Sequence, residues 1–432
     1  MRVWTRVLLA MALLFTGAAR AEAPVCVVAD GFACLVDASG EALLEGVGDV
    51  FCVREGALYA AGSRGAYRLY DARGNALSDA TFAMIADAGD CLIYRQGSRY
   101  GAMTEAGEVV LPARYTQLTS DGAGGFLVLD TDPLDESPDA ILRVDAAGEA
   151  TSAGTFTSSG LTWLSDGRMP VMAQNGRFGA IDAAGAWTIP ARWLSMGAFA
   201  EGVAKVAGPG GFGLIDADGN EVVPAAYDWL ERGEGIVAAL NAGGVDVFTG
   251  DGSTRLYHIP GEGLEASVVG GCVLVRDGDA ARLYDGAGAL LGAFDSDFTC
   301  APGLRGQLVA ADGAWGEAAA WLMAPDGGAA SPRRQYILPL AGERYAFAEM
   351  RGVEYRSAEL DRVQTSWDYD SLRFGLMDDS GATLLPAAYR EIRALSDTRL
   401  MLVSDGAVAL SDMDGNAIRT WVSSESSAPT GE

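Results

Sequence analysis

The sequence predicts an all-β fold built from about eleven copies of one antiparallel meander, and three observations predict it. A phrase made of an apolar strand, an Asp-x-x-Gly turn and a second apolar strand returns eleven times. Its clearest copies are RYGAMTEAGEVVLPARYTQL from Arg99, RFGAIDAAGAWTIPARWLSM from Arg177, GFGLIDADGNEVVPAAYDWL from Gly211 and RFGLMDDSGATLLPAAYREI from Arg373. The turn glycines Gly40, Gly74, Gly107, Gly148, Gly185, Gly219, Gly252, Gly288, Gly327, Gly381 and Gly415 stand 33 to 54 residues apart and cluster near 34. Beyond the N-terminus no stretch sustains an i, i+3, i+4 apolar stripe, and 57 glycines would interrupt any helix longer than a few turns. A unit of this size cannot bury its own apolar face, so the copies must stack into a ring or a rod. The array fills the chain and leaves no room for a separate catalytic domain.

Each element of the unit has a local reason. In the copy from Glu201 to Gly235, GVAKVAG is a short apolar strand, PGG a turn, FGLID a second strand, ADGN a second turn and EVVPAA a third strand. Eight of the eleven copies place Asp three residues before the turn glycine. There it can hydrogen-bond the turn backbone while Gly takes positive φ. After the third strand come a proline and an aromatic, Pro112 with Tyr115, Pro190 with Trp193, Pro224 with Tyr227 and Pro386 with Tyr389. The proline ends the ladder by removing a donor, and the aromatic supplies buried surface to the joint between neighbouring sheets.

These residues closely resemble the WG repeat, a β-rich repeat of bacterial exported and surface-associated proteins. In this chain its Trp-Gly dipeptide stands mostly as an aromatic-Gly pair, Tyr100-Gly101, Phe178-Gly179, Phe212-Gly213 and Phe374-Gly375, and Trp315-Gly316 is the one literal copy. The resemblance implies a repeat scaffold used for recognition and transfers no catalytic residues. Two architectures fit: a β-propeller-like or superhelical array of small sheets, and, as the alternative, a β-solenoid.

At the N-terminus Arg2 and Arg6 precede an apolar run from Val7 to Phe15, and Ala19 and Ala21 follow in an Ala-x-Ala pattern. Residues 1–21 therefore read as a cleavable secretory signal, too short in its apolar run to span a bilayer. The repeat array is expected over 22–422 and a disordered polar tail over 423–432. Localisation follows: a secreted or surface-associated chain, or one held in a periplasm-like space. Cleavage would leave 28 basic against 58 acidic residues, a net charge of about −30. With Lys205 the only lysine, nucleic acid and anionic membrane surfaces are disfavoured as partners.

Six cysteines, Cys26, Cys34, Cys52, Cys91, Cys272 and Cys300, permit three disulfides in an exported chain. A three-residue loop at Ala29 to Gly31 would set Cys26 opposite Cys34 across a hairpin, whereas a two-residue loop would misalign them. Cys52 and Cys91 begin the first strands of neighbouring repeats, and Cys272 and Cys300 lie about one repeat apart, so staples between repeats are a second reading. Fifteen pairings remain open. No C-x-x-C spacing occurs and His258 stands alone, so no metal is expected on the cysteines.

Two departures from the repeat could carry function. The 54-residue interval between Gly327 and Gly381 contains Arg351, Tyr355, Arg356, Trp367, Asp368 and Tyr369. Insertions in repeat proteins map to one face, often the binding face, so these six form the candidate site; a longer blade with extra strands is the other reading. The acidic loop DTDPLDESPDA from Asp130 offers oxygen ligands but no EF-hand spacing, and with DADGN at Asp216 and DMDGN at Asp412 it reads as loop and turn. The chain is expected to be a non-enzymatic scaffold for protein recognition that needs no cofactor. A carbohydrate- or cell-wall-binding module using the faces of Trp163, Trp193, Trp229 and Trp367 is the alternative, and a carboxylate-dependent glycosidase a third.

Overall fold

The computed structural model of the chain describes residues 23–29, 32–129, 139–145, 149–156, 164–312, 319–357 and 362–422. The segments expected to be signal and tail, the acidic loop up to Pro138, Gly148, Trp163 and Trp315-Gly316 lie outside them. Among the described residues forty strands, and no helix, form eleven sheets. Each sheet is one continuous piece of chain: sheet 1 (25–44), sheet 2 (49–71), sheet 3 (84–115), sheet 4 (117–156), sheet 5 (169–193), sheet 6 (195–227), sheet 7 (229–260), sheet 8 (265–295), sheet 9 (299–323), sheet 10 (336–389) and sheet 11 (391–422). All are antiparallel meanders, three-stranded in sheets 1, 2, 5 and 9 and four-stranded elsewhere.

In most meanders the last turn is fixed by an aspartate, and in sheets 3, 7 and 9 Thr104, Thr249 and Ala324 stand in its place. Asp216 Oδ1 accepts the backbone N–H groups of Asp218 and Asn220 at 2.9 and 2.8 Å, and the Asn220 amide donates to Oδ2 at 3.0 Å. Asp37, Asp71, Asp182, Asp285, Asp378 and Asp412 hold the same two N–H groups. Where threonine replaces Asp at position 104, its Oγ1 takes only the Glu108 N–H, at 3.2 Å. Gly219 closes the turn at φ +84°, a conformation that L side chains rarely adopt.

The glycine of the aromatic-Gly pair has a different cause. Phe212 pairs with Tyr227 and Leu214 with Val223, so the outer strand carries two extra residues around Pro224 and bulges over Gly213. A Cβ on Gly213 would lie 2.6 Å from the Val223 carbonyl oxygen. The same bulge crosses Gly101, Gly179 and Gly375, each facing the carbonyl of the residue before a proline. The prolines themselves are exposed on the outer edge, where no neighbouring strand needs their missing N–H. The aromatics that end these strands, Tyr115, Trp193 and Tyr227, are buried between one sheet and the next.

Eleven apolar clusters lie between the eleven sheets, one at each seam. Ten join neighbours along the chain. The eleventh joins sheet 11 to sheet 1, packing Met401, Val403, Val408 and Leu410 against Val25, Val27, Cys34 and Val36. Phe32 and Trp421 add a ring contact at 5.2 Å between centroids. Arg419 donates to the Gly40 carbonyl at 2.7 Å, as Arg192 of sheet 5 does to the Gly219 carbonyl of sheet 6 at 2.8 Å. The closing seam therefore repeats an internal one. The array is a closed eleven-bladed β-propeller; the solenoid and the open superhelix are ruled out, because neither brings its first and last units together.

Replacing Gly213 with Ala forces the proline bulge away from its strand, and we expect a loss of about 1–3 kcal/mol of stability in urea unfolding. A second expectation concerns acid. For Asp216 desolvation opposes ionisation, but the hydrogen bonds from Asn220 and the turn N–H groups outweigh it and hold the carboxyl below its usual range. Asp37 is held low first by the Ser39 hydroxyl. Groups lowered on folding contribute fully above their unfolded value, about 3.9, and lose that contribution as pH falls through the folded value. The urea midpoint should therefore fall below about pH 4. Asp216→Ala should cost about 1 kcal/mol at pH 7, by analogy with helix caps of the same chemistry, and fall less steeply on acidification.

Candidate functional site

The 54-residue interval folds as a hairpin that outgrows its blade. Strands Arg344–Ser357 and Arg362–Asp378 pair with each other along their length, but the first strand of sheet 10 reaches only Tyr345–Ala348 and the outer strand only Phe374–Met377. Beyond this base, from Arg351 opposite Asp368 to Ser357 opposite Arg362, the described residues form a two-stranded arm. The interval lengthens two strands of the four-stranded blade and, among the described residues, adds no further strand.

A bulge sets the root of the arm. Between the pairs Glu349–Arg373 and Arg351–Asp368 the returning strand carries three extra residues. Ser371 fills the gap: its hydroxyl accepts the Arg351 N–H at 2.8 Å and donates to the Asp368 carbonyl at 2.6 Å. On the other side Gln335 brackets Met350, donating to its carbonyl at 3.0 Å and accepting its N–H, while Arg334 reaches Glu349 at 3.1 Å. Ser371, Gln335 and Arg334 were not legible as site residues, since their roles depend on the bulge.

Of the six predicted residues, the structure brings four to this root. Arg351 forms an ion pair with Asp368, and that bond, followed by backbone hydrogen bonds, keeps the Asp368 carboxyl below its ordinary range. Trp367 stands opposite Gly352 and is half-buried, and Tyr369 in the bulge is 60 % exposed. Alternation places the Arg351–Asp368 pair on one face of the ribbon and Trp367 on the other, so the expected single aromatic and charged cluster is split between two faces. Tyr355 and Arg356 lie in the strand opposite Gln364 and Val363, with side chains outside the described residues. Val353, 47 % exposed, adds an apolar group to the arm.

A second polar cluster lies at the seam of sheets 6 and 7. Asp246, 6 % exposed, accepts from the Tyr227 hydroxyl at 2.9 Å and Arg255 at 3.2 Å, and pairs with His258 Nδ1 at 3.0 Å. Burial, then the Asp246 carboxylate, pushes the Tyr227 hydroxyl up to about 12. The cluster ties the last residue of one blade to the next, and its buried carboxylate is fully hydrogen-bonded, as a structural group should be.

Three expectations need correction. Trp193, proposed as an exposed glycan-stacking face, is 4 % exposed in the seam of sheets 5 and 6, and Trp229 packs half-buried against sheet 8. Ala29 pairs with Phe32, so the hairpin loop has two residues; Cys26 faces Leu35 and Cys34 faces Val27. These two cysteines lie on opposite faces of sheet 1 and cannot bridge. Cys52 turns toward sheet 1 while Cys91 packs against sheet 4, which excludes that staple as well.

The sequence of sheet 6 decides the comparison with known families. Residues 212–232 match the family model of the WG containing repeat. The matched WG repeat spans the Phe212-Gly213 pair, the DADGN turn, Pro224 and Tyr227, the residues whose geometry recurs in sheets 3, 5 and 10. No curated protein sequence matches the chain. Among solved structures it is similar to a eukaryotic initiation factor, at 12% identity over 66% of this chain and 82% of that one, with a TM-score of 0.39. It is also similar to BamB from Moraxella catarrhalis, at 15% identity over 68% and 90% of the two chains and a TM-score of 0.27. A third likeness is to the extracellular domain of BT4673 from B. thetaiotaomicron, at 9% identity over 94% and 77% and a TM-score of 0.25. Scores this low say nothing about function.

Proposed function

We propose that the chain is an exported, non-enzymatic scaffold that recognises another protein, and that the arm of sheet 10 is its docking element. The observation that carries this reading is the arm itself. It is the one hairpin among the described residues that runs well past its blade, its root is bracketed by Gln335, Arg334 and Ser371 and presents Tyr369, and its outer part offers two strand edges together with Val353. Strand edges of this kind bind extended partner segments by main-chain hydrogen bonds.

The non-enzymatic part rests on where the acids and bases stand. The recurring aspartates spend their oxygens on turn N–H groups, the single histidine is engaged by Asp246, and Lys205 Nζ donates to the Leu230 carbonyl at 2.5 Å. These groups serve the seams and turns, and general acid–base chemistry would need others. The exported part rests on the signal-like pattern of residues 1–21.

The test is affinity capture from surface and secreted fractions of the producing cell, run in parallel with the intact mature chain and a variant in which residues Arg351 to Tyr369 are replaced by an Asn-Gly turn. The variant should keep the urea midpoint of the parent, because those of the excised residues that are described lie outside the apolar clusters. Enrichment of one protein by the intact chain and its loss with the variant is the expected result. Equal capture by both rejects the arm, and enrichment of wall polymer without protein overturns the protein-recognition reading.

A further inference from the structure

Four of the six cysteines face two blade seams in pairs, in a shared arrangement. Cys272 begins the second strand of sheet 8 and Cys300 lies in the first strand of sheet 9; both pack into the same apolar cluster between these sheets, beside Leu274 and Ala310. Cys26 sits in sheet 1 on the face turned to sheet 2. Cys52, in the first strand of sheet 2, pairs with Tyr59 of that same seam cluster and so faces back toward Cys26. In both cases a strand of one blade presents its thiol to the first strand of the next.

The electrostatics agree with this proximity. Burial first, then the nearby thiol of Cys52, pushes the Cys26 thiol above its ordinary range. Burial first, then Cys272, pushes the Cys300 thiol up to about 12. The remaining two cysteines lack such a partner. Cys91 occupies the corresponding place at the seam of sheets 3 and 4, where the first strand opposite presents Leu118. Cys34 is fully buried in the closing seam among valines, methionine and leucine.

We propose that in an oxidising environment the chain forms two disulfides between neighbouring blades, Cys26–Cys52 and Cys272–Cys300, and keeps Cys34 and Cys91 as thiols. The oxidant is a disulfide, either a small molecule or an oxidoreductase. Cys52, the exposed member of its pair, attacks as thiolate and expels one thiol; Cys26 then attacks the mixed disulfide and expels the second. Two electrons leave the protein and both sulfur atoms of the oxidant are reduced. Cys272 and Cys300 follow the same sequence. The first bond locks a three-stranded blade that borders the closing seam, and the second locks another three-stranded blade, sheet 9, to its four-stranded neighbour.

The proposal is independent of the docking role of the arm, and its test uses the purified full chain alone. Reduced protein is oxidised to equilibrium with oxidised glutathione, alkylated, digested without reduction and mapped by mass spectrometry. The expected map contains the two linked peptides and alkylation confined to Cys34 and Cys91. Cys26→Ser should expose Cys52 to alkylation and leave the Cys272–Cys300 bond intact, and oxidised protein should unfold at a higher urea concentration than reduced protein. A Cys26–Cys34 or Cys52–Cys91 link, or alkylation of all six thiols when the oxidised protein is alkylated in denaturant, overturns the assignment.

Discussion

A three- or four-stranded meander of short strands has two apolar faces and no means of covering either. Sheet 6 illustrates the constraint: Ala204, Val206 and Ile215 point into one seam while Leu214, Val223 and Tyr227 point into the other. A blade at the end of an open stack would leave one such face in water, at a cost of roughly 25 cal/mol for each Å² of apolar surface exposed. Closing the stack removes both ends together. The contact of sheet 11 with sheet 1 is therefore the interaction on which every other blade depends, and it is made without a strand shared between the two terminal sheets.

That requirement explains why the repeated residues are those that shape edges and turns. Where the last turn carries both its aspartate and its glycine, the rigid corner can receive the neighbouring blade's arginine on a carbonyl, as at Gly219 from Arg192 and at Gly40 from Arg419. The proline bulge lies over a glycine and leaves an exposed proline on the outer edge, which discourages pairing with other chains. Blades can then vary in their first strands, from Ser195–Met196 in sheet 6 to Glu391–Ser396 in sheet 11, without disturbing the ring.

Much of the fold was legible because turn chemistry is local. The Asp-x-x-Gly corner, the proline and the aromatic after it can each be read within a dozen residues, but the proline, expected to end the ladder, instead lies inside the outer strand, whose pairing resumes beyond the bulge at Tyr227. The first strand of most blades was harder to read, since two to six residues without a turn signature carry it. Ring closure was not legible at all: Phe32 and Trp421 are ordinary hydrophobic residues at opposite ends of the sequence, and only the accumulated angle between blades brings them together. The candidate site was located by its length alone. Its division between two faces follows from three extra residues near Ser371, a register shift that composition does not reveal. The cysteine pairing failed at Cys26 and Cys34 for a similar reason, because one loop residue decides which face a thiol occupies.

Closure is the claim to test first. Spectroscopic labels placed through non-cysteine chemistry at Ser39 in the last turn of sheet 1 and at Thr420 in the outer strand of sheet 11, both exposed, report the separation of the terminal blades directly. A single narrow distribution at short distance is the predicted result, unchanged between dilute and concentrated protein. A broad or long distribution would contradict the ring and return the chain to an open array.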